Sequence, residues 1–131
     1  CGDRAVLRAL HFYDDDRRAV EEADALEAGD FDHFLALVNA SGISSSLYLQ
    51  NTWSIADPKQ QAIPMALAIG QELLEGTGAI RVHGGGFAGT IQAFVPVEKL
   101  TAFKRGMEKL LGTGMCHILH IRPQGGCVIL A

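Results

Sequence analysis

The chain has 131 residues, of which 48% are hydrophobic and 20% charged, the composition of one folded domain and not of a charge-rich disordered segment. A net charge of −4 and a pI near 5.7 give nucleic acid and anionic membrane surfaces no electrostatic reason to bind, so neither is expected as a partner. No apolar run reaches the roughly 20 residues of a membrane-spanning helix, because the best candidate, residues 62–69, is short and contains Pro64.

The opening Cys1-Gly2-Asp3-Arg4 has no initiator Met and none of the basic and apolar stretches of an export signal, as expected of a piece cut from a longer polypeptide. Residues 14–28 repeat helix formers, with Ala19, Val20, Ala23 and Leu26 spaced to build one apolar face. This helix begins upstream of Asp14 and stops at Gly29. Asp30 is placed to cap a second helix, in which Phe31, Phe34, Leu35 and Val38 fall at helical spacing and which ends near Gly42. The two helices should pack as an antiparallel pair. After a serine-rich polar segment, Pro64 starts a third helix through Glu75 that is almost wholly apolar or alanine, and so should be buried over most of its surface.

Beyond Gly78 the period changes from helical to extended. Residues 79–83 and 90–95 read as strands flanking a glycine-rich loop, and Pro96 ends the second. Residues 98–111 form an amphipathic pattern closed by Gly112, with Leu100, Phe103, Met107, Leu110 and Leu111 on its inner side. Residues 116–121 and 127–130, separated by Arg122-Pro123-Gln124-Gly125-Gly126, read as a closing β-hairpin. The expected class is α+β: a four-stranded, mostly antiparallel sheet with helices on one face. Three cysteines without C-x-x-C spacing argue against a disulfide framework and a zinc site, and for a reduced, cytoplasmic setting. A hairpin turning near Gln124 would not bring Cys116 and Cys127 face to face. The mean hydropathy of +0.16 leans apolar, as expected if a partner domain covers part of the surface; the isolated piece would then tend to self-associate.

The most informative stretch is Arg81-Val82-His83-Gly84-Gly85-Gly86-Phe87-Ala88-Gly89-Thr90. Gly84, Gly86 and Gly89 satisfy G-x-G-x-x-G, but a dinucleotide fingerprint opens a helix, and here a strand pattern follows. Three consecutive glycines allow positive φ and a close approach to the main chain by another group, a phosphate or a sugar among them. A tight strand-to-strand turn that needs glycine for its own geometry explains the spacing equally well.

Other candidates carry less. Ser41-Gly42-Ile43-Ser44-Ser45-Ser46 has the glycine and serines of a phosphate loop, but it follows a helix where such a loop follows a strand, and it reads as a helix end and connector. Asp14-Asp15-Asp16 reads as a solvated acidic cluster in preference to a Mg²⁺ site. His117 and His120, three apart on a strand, would point to opposite faces and cannot share an ion. No catalytic residue and no metal site is assigned to this chain.

The segment from Gly78-Ala79-Ile80-Arg81 through Gly89 resembles the third motif of the galactokinase branch of the GHMP kinases (galacto-, homoserine, mevalonate and phosphomevalonate kinases), where a phenylalanine also follows the glycines. Arg8-Ala9-Leu10-His11, followed by Asp15 and Arg17, is similar to an early motif of the same branch. Leu37-Val38-Asn39-Ala40-Ser41-Gly42 and Ser45-Ser46-Leu47-Tyr48-Leu49-Gln50-Asn51 resemble the helical region between the two. The sequence departs from the pattern at His83, Ala88 and Thr90, where the family commonly has threonine, glycine and cysteine. The resemblance implies a GHMP kinase C-terminal domain, ferredoxin-like in fold, over residues 1–131, without the N-terminal half that carries the sugar-binding motif, the phosphate loop and the catalytic residues. It implies a full-length enzyme that uses ATP and Mg²⁺ to phosphorylate the anomeric hydroxyl of galactose. Gly84, Gly85, Gly86, Phe87 and Gly89 would line the cleft between this domain and its own N-terminal domain. By the same resemblance His11 is structural, bonding across the helix junction, and the isolated piece is inactive and holds no cofactor. Other implied readings are a kinase for N-acetylgalactosamine or another small metabolite, and a non-catalytic sugar and ATP sensor; a plain α+β binding or dimerisation module is the reading outside the family.

Overall fold

The computed structural model describes residues 2–87, 89–121 and 123. Helix α1 spans Asp3–Ala28, so it does begin well before Asp14, and it ends at Gly29 in the left-handed region at φ 72°. There the N–H groups of Gly29 and Asp30 turn back onto the carbonyls of Leu26 and Ala25, which satisfies acceptors a helix end otherwise leaves bare. Helix α2, Phe31–Ser44, starts as expected: the Asp30 carboxylate accepts the His33 N–H at 3.0 Å. It does not stop at Gly42. It runs on into a π-helical turn, Ser45–Leu49, closed by Gln50 at φ 53°.

The pair is antiparallel, since His11 meets Ser44 and Asp15 meets Ser41. The face that α1 turns inward, however, is not the expected one. Ala19, Val20, Ala23 and Leu26 are exposed, whereas His11 and Ala25 are buried and Asp15, Arg18 and Glu22 are half-buried between them. The inward stripe is polar because α2 presents hydroxyls, Ser41 and Ser44, at the contact. An acidic and basic stripe can face inward where its members find hydrogen-bond partners.

Helix α3, Ala62–Leu74, has Pro64 in its first turn, where a missing N–H costs nothing. It ends at Glu75 in the left-handed conformation. It is buried through Ile63, Ala66, Gly70 and Leu74, while Met65 and Ala68 face solvent, so its burial is one-sided where near-complete burial was expected. Strands β1 (Ala79–Val82) and β2 (Ile91–Phe94) pair antiparallel, with Ala79 opposite Phe94 and Val82 opposite Ile91. A short 3₁₀ turn, Val97–Lys99, leads into α4, Leu100–Leu111, which buries Phe103 and Met107 and closes at Gly112.

Two expectations about the sheet are corrected. Among the described residues it has two strands, not four. Residues 116–121 have no ladder partner among the described residues, and the expected hairpin partner, residues 127–130, lies outside them. Nor do the helices occupy one face. Ile80 and Ala93 point to a core of Ala66, Leu74, Phe103 and Met107 between α3 and α4. On the opposite face Phe94 meets Phe34 of α2 edge-on at 5.2 Å between ring centroids. The ribbon is therefore sandwiched between two helix pairs, as the nearly continuous apolar run Ala79-Ile80-Arg81-Val82 permits. Close approach is bought by small residues: a Cβ on Gly70 would lie 2.3 Å from Ile80 Cδ1, and one on Gly106 would lie 2.7 Å from Leu73 Cδ1.

Candidate functional site: the glycine loop and its supports

Strand β1 is held at its outer edge by a side chain. Asn39 Oδ1 accepts the Ile80 N–H at 3.1 Å, and its amide nitrogen donates to the Gly78 carbonyl at 3.4 Å. One amide thus replaces the pairing that a neighbouring strand would give and covers an edge otherwise open to other chains. Beneath the strand, Arg81 donates to the Ser41 hydroxyl and, through Nε, to the Val82 carbonyl, while its other terminal nitrogen lies 3.9 Å from Asp15. Asp15 also accepts from Ser41 and Arg18. His11 Nδ1 is 2.9 Å from the Ser44 hydroxyl, and its Nε2 is 3.7 Å from Asp15. Burial pushes the Glu22 carboxyl above its ordinary range, opposed by the Arg81 guanidinium, and the Asp15 charge adds to the rise. Among the described residues no buried side-chain polar atom lacks a partner, so this cluster is a lock between α1, α2 and β1. His11 bonds across the helix junction, as expected of a structural histidine.

The loop that leaves β1 is closed at its base by the His83 N–H donating to Thr90 O at 2.9 Å. Gly84, Gly86 and Gly89 have φ of 67°, 75° and 88°, and Phe87 also lies in the left-handed region at 46° with its ring exposed. The turn reading is therefore correct for three of the four glycines, whose backbone angles demand glycine. Gly86 has a second reason: a Cβ there would sit 2.2 Å from the Asn51 carbonyl oxygen and 2.7 Å from its Cβ. Gly85 has neither. It is not left-handed, and a Cβ on it would meet no atom of the described residues within 4 Å.

The floor under the loop is Asn51, 1% exposed. Its main-chain oxygen accepts the Phe87 N–H at 2.8 Å, its Nδ2 donates to the Gly85 carbonyl at 3.4 Å, and its Oδ1 accepts the Ser45 hydroxyl at 3.1 Å. Asn51 and Asn39 carry no functional signal in the sequence. Neither belongs to a spacing pattern, and both act through folded neighbours more than thirty positions away.

The remaining candidates disperse. Asp14 pairs with Arg17, Asp15 faces the lock, and Asp16 is exposed. His117 and His120 are exposed, and Ser41, Ser44 and Ser45 are buried in side-chain bonds within the helix pair and beneath the loop. Among the described residues no three His, Cys, Asp or Glu side chains gather to hold a metal, and no helix is long and apolar enough to cross a membrane. Burial raises the Cys116 thiol above its usual range, with the Glu108 charge adding to it.

Known proteins resemble this chain over about three quarters of its length. A galactokinase of Mannheimia succiniciproducens is 30% identical over 101 residues, covering 77% of this chain and 24% of that protein. Over this stretch the chain is galactokinase-like. A galactokinase of Pasteurella multocida is 31% identical over 98 residues, 75% of this chain and 24% of its own length. A galacturonokinase of Arabidopsis thaliana is 32% identical over 95 residues, 72% of this chain and 20% of its own. The chain spans about a quarter of the length of the curated relatives it matches. No protein-family model and no solved structure gives a significant match. The relatives are sugar kinases by name.

Proposed function

We propose that this chain is the C-terminal domain of an ATP-dependent galactokinase, and that Gly84, Gly85, Gly86, Phe87 and Gly89 line one wall of its interdomain cleft. The reaction moves the γ-phosphoryl group of ATP to the anomeric hydroxyl oxygen of galactose and releases ADP. The observation that carries the loop's part is Gly85. Neither its own backbone angles nor its surroundings among the described residues call for glycine, so the residue makes sense where a group from outside them comes close to the main chain. Phosphoryl transfer needs two substrates aligned and charge neutralised. The loop offers main-chain groups and the exposed Phe87 ring, none of them charged, so in this proposal ATP and Mg²⁺ are held mainly by the rest of the polypeptide. This domain then contributes shape, and alone it is inactive.

A second substrate is favoured by one finding, the galacturonokinase among the relatives. The deciding experiment is an ADP-release assay on the complete polypeptide with Mg·ATP and, separately, galactose, galacturonate and N-acetylgalactosamine. Turnover with galactose supports the proposal, and turnover with galacturonate alone moves the substrate to the second reading. Binding of ATP and galactose with no turnover would replace the enzyme by a sensor.

A further inference from the structure

We infer that Asn51 is a positioning residue of the glycine loop, setting its conformation through two side-chain bonds of opposite polarity. Three features make this more than packing. First, the backbone is contorted to deliver the residue: the π-helical turn Ser45–Leu49 and left-handed Gln50 immediately precede it, and wide turns of this kind commonly re-aim a residue at a working site. Second, the amide is used at both ends. The Gly85 carbonyl can only accept, so it takes the Nδ2 proton, and Oδ1 is left for the Ser45 hydroxyl. Third, the contact is too close for any side chain on Gly86, whose absent Cβ would overlap Asn51. The carbonyl bonded by Nδ2 belongs to Gly85, the one glycine of the run that its own chain does not require. Asn51 thus fixes the orientation of the peptide that the proposed ligand or partner domain would approach. The lock at Arg81 fixes the strand that enters the loop, and Asn51 fixes the loop itself.

The kinetic part of this inference rests on the kinase reading, so the test has two arms. In the complete polypeptide, hydrogen–deuterium exchange of residues 83–87 is compared with that of α4 for wild type, Asn51→Ala, Asn51→Asp and Ser45→Ala. Asn51→Ala is expected to speed loop exchange at least tenfold with α4 unchanged. Asn51→Asp keeps the shape and the acceptor for Ser45 but loses the donor to Gly85, so it should loosen the loop as much as alanine does; Ser45→Ala should loosen it less. If the wild type phosphorylates a sugar, both Asn51 variants should lower kcat/KM at least tenfold while Ser45→Ala stays within a few-fold. Wild-type loop exchange in Asn51→Asp, or equal acceleration in the loop and α4, would overturn the positioning role. A wild type without sugar turnover refutes the kinase reading, and the exchange arm still decides the role of Asn51.

Discussion

Substituting alanine at Gly85 and at Gly86 separates a glycine kept for its own turn from one kept for an outside group. At Gly86 the left-handed backbone costs an L-residue about 1–2 kcal/mol. The new Cβ must also clear the Asn51 carbonyl oxygen, 2.2 Å away, and two further Asn51 atoms within 2.8 Å. Those atoms belong to a buried residue tied at both ends, so the overlap is relieved by displacing the loop, at the roughly 1–3 kcal/mol typical of overpacking. Reduced freedom of the unfolded chain returns about 0.4–1 kcal/mol. The net expectation for Gly86→Ala is a loss of about 3 kcal/mol. Gly85→Ala meets no clash and no left-handed penalty, so only the unfolded-state effect remains and stability should hold or rise by up to about 1 kcal/mol. Urea denaturation measures both; with a slope of about 2 kcal/mol/M for a domain of this size, Gly86→Ala should lower the midpoint by about 1.5 M. A Gly86→Ala chain as stable as wild type would refute the account of the loop floor. A Gly85→Ala chain that keeps its stability while the complete polypeptide loses sugar phosphorylation would place the outside group at that peptide.

Three further predictions concern the frame around the loop. Met107, 1% exposed in the core, should cost about 3 kcal/mol as alanine, read as a lower denaturation midpoint with an unchanged slope. Arg81→Ala leaves Asp15 without a nearby cation from β1, and because the Arg81 side chain is 22% exposed its loss should cost about 2 kcal/mol, below the range for fully buried pairs. The double variant Asp15→Ala/Arg81→Ala should lose less than the sum of the single changes, and strict additivity would mean the two do not interact. At Glu22 the folded pKa is raised, so the folded state favours the protonated form. Wild-type stability should therefore fall as pH rises through the window from the ordinary glutamate value of about 4.5 up to the folded one. Glu22→Gln removes that slope: it should match or exceed wild-type stability at pH 7 and lose its advantage below pH 4.5, as followed by melting across pH.

How much of this could be read beforehand depends on whether the signal was local. Gly29, Asp30 and Gly112 announced their helix ends because capping chemistry is carried by one or two residues. The two strands and the loop between them followed from a change of period. The inward side of α1 was not legible, since His11, Asp15, Arg18 and Glu22 have the composition of a solvated face, and only Ser41, Ser44 and Arg81, far along the chain, convert them to a packed one. The second helix layer was hidden for a similar reason: a four-residue strand is too short for its pattern to tell one buried face from two. Within the loop, three glycines declare a turn, but which of them the turn needs is decided by φ values and by Asn51, neither of which has a sequence signature.

Helix α1 is left with two unlike sides, and their division of labour can be tested. Toward α2 it makes directional bonds, His11 to Ser44 and Asp15 to Ser41, which fix its rotation because a turn of the helix would break them together. On the opposite side Val6, Tyr13 and Val20 recur every seven residues and are 51%, 71% and 61% exposed, a stripe open to solvent among the described residues. Under the proposed reading, the remainder of the polypeptide covers this stripe, and nondirectional apolar contact suffices there because the rotation is already set. Val20→Glu should then leave the unfolding free energy of this 131-residue chain, read by urea denaturation, within about 0.5 kcal/mol of wild type, as for an ordinary surface change. In the complete polypeptide the same charge would be buried against apolar surface and should cost about 2 kcal/mol or more. Equal and small effects in both contexts would show that α1 faces water in the whole protein as well.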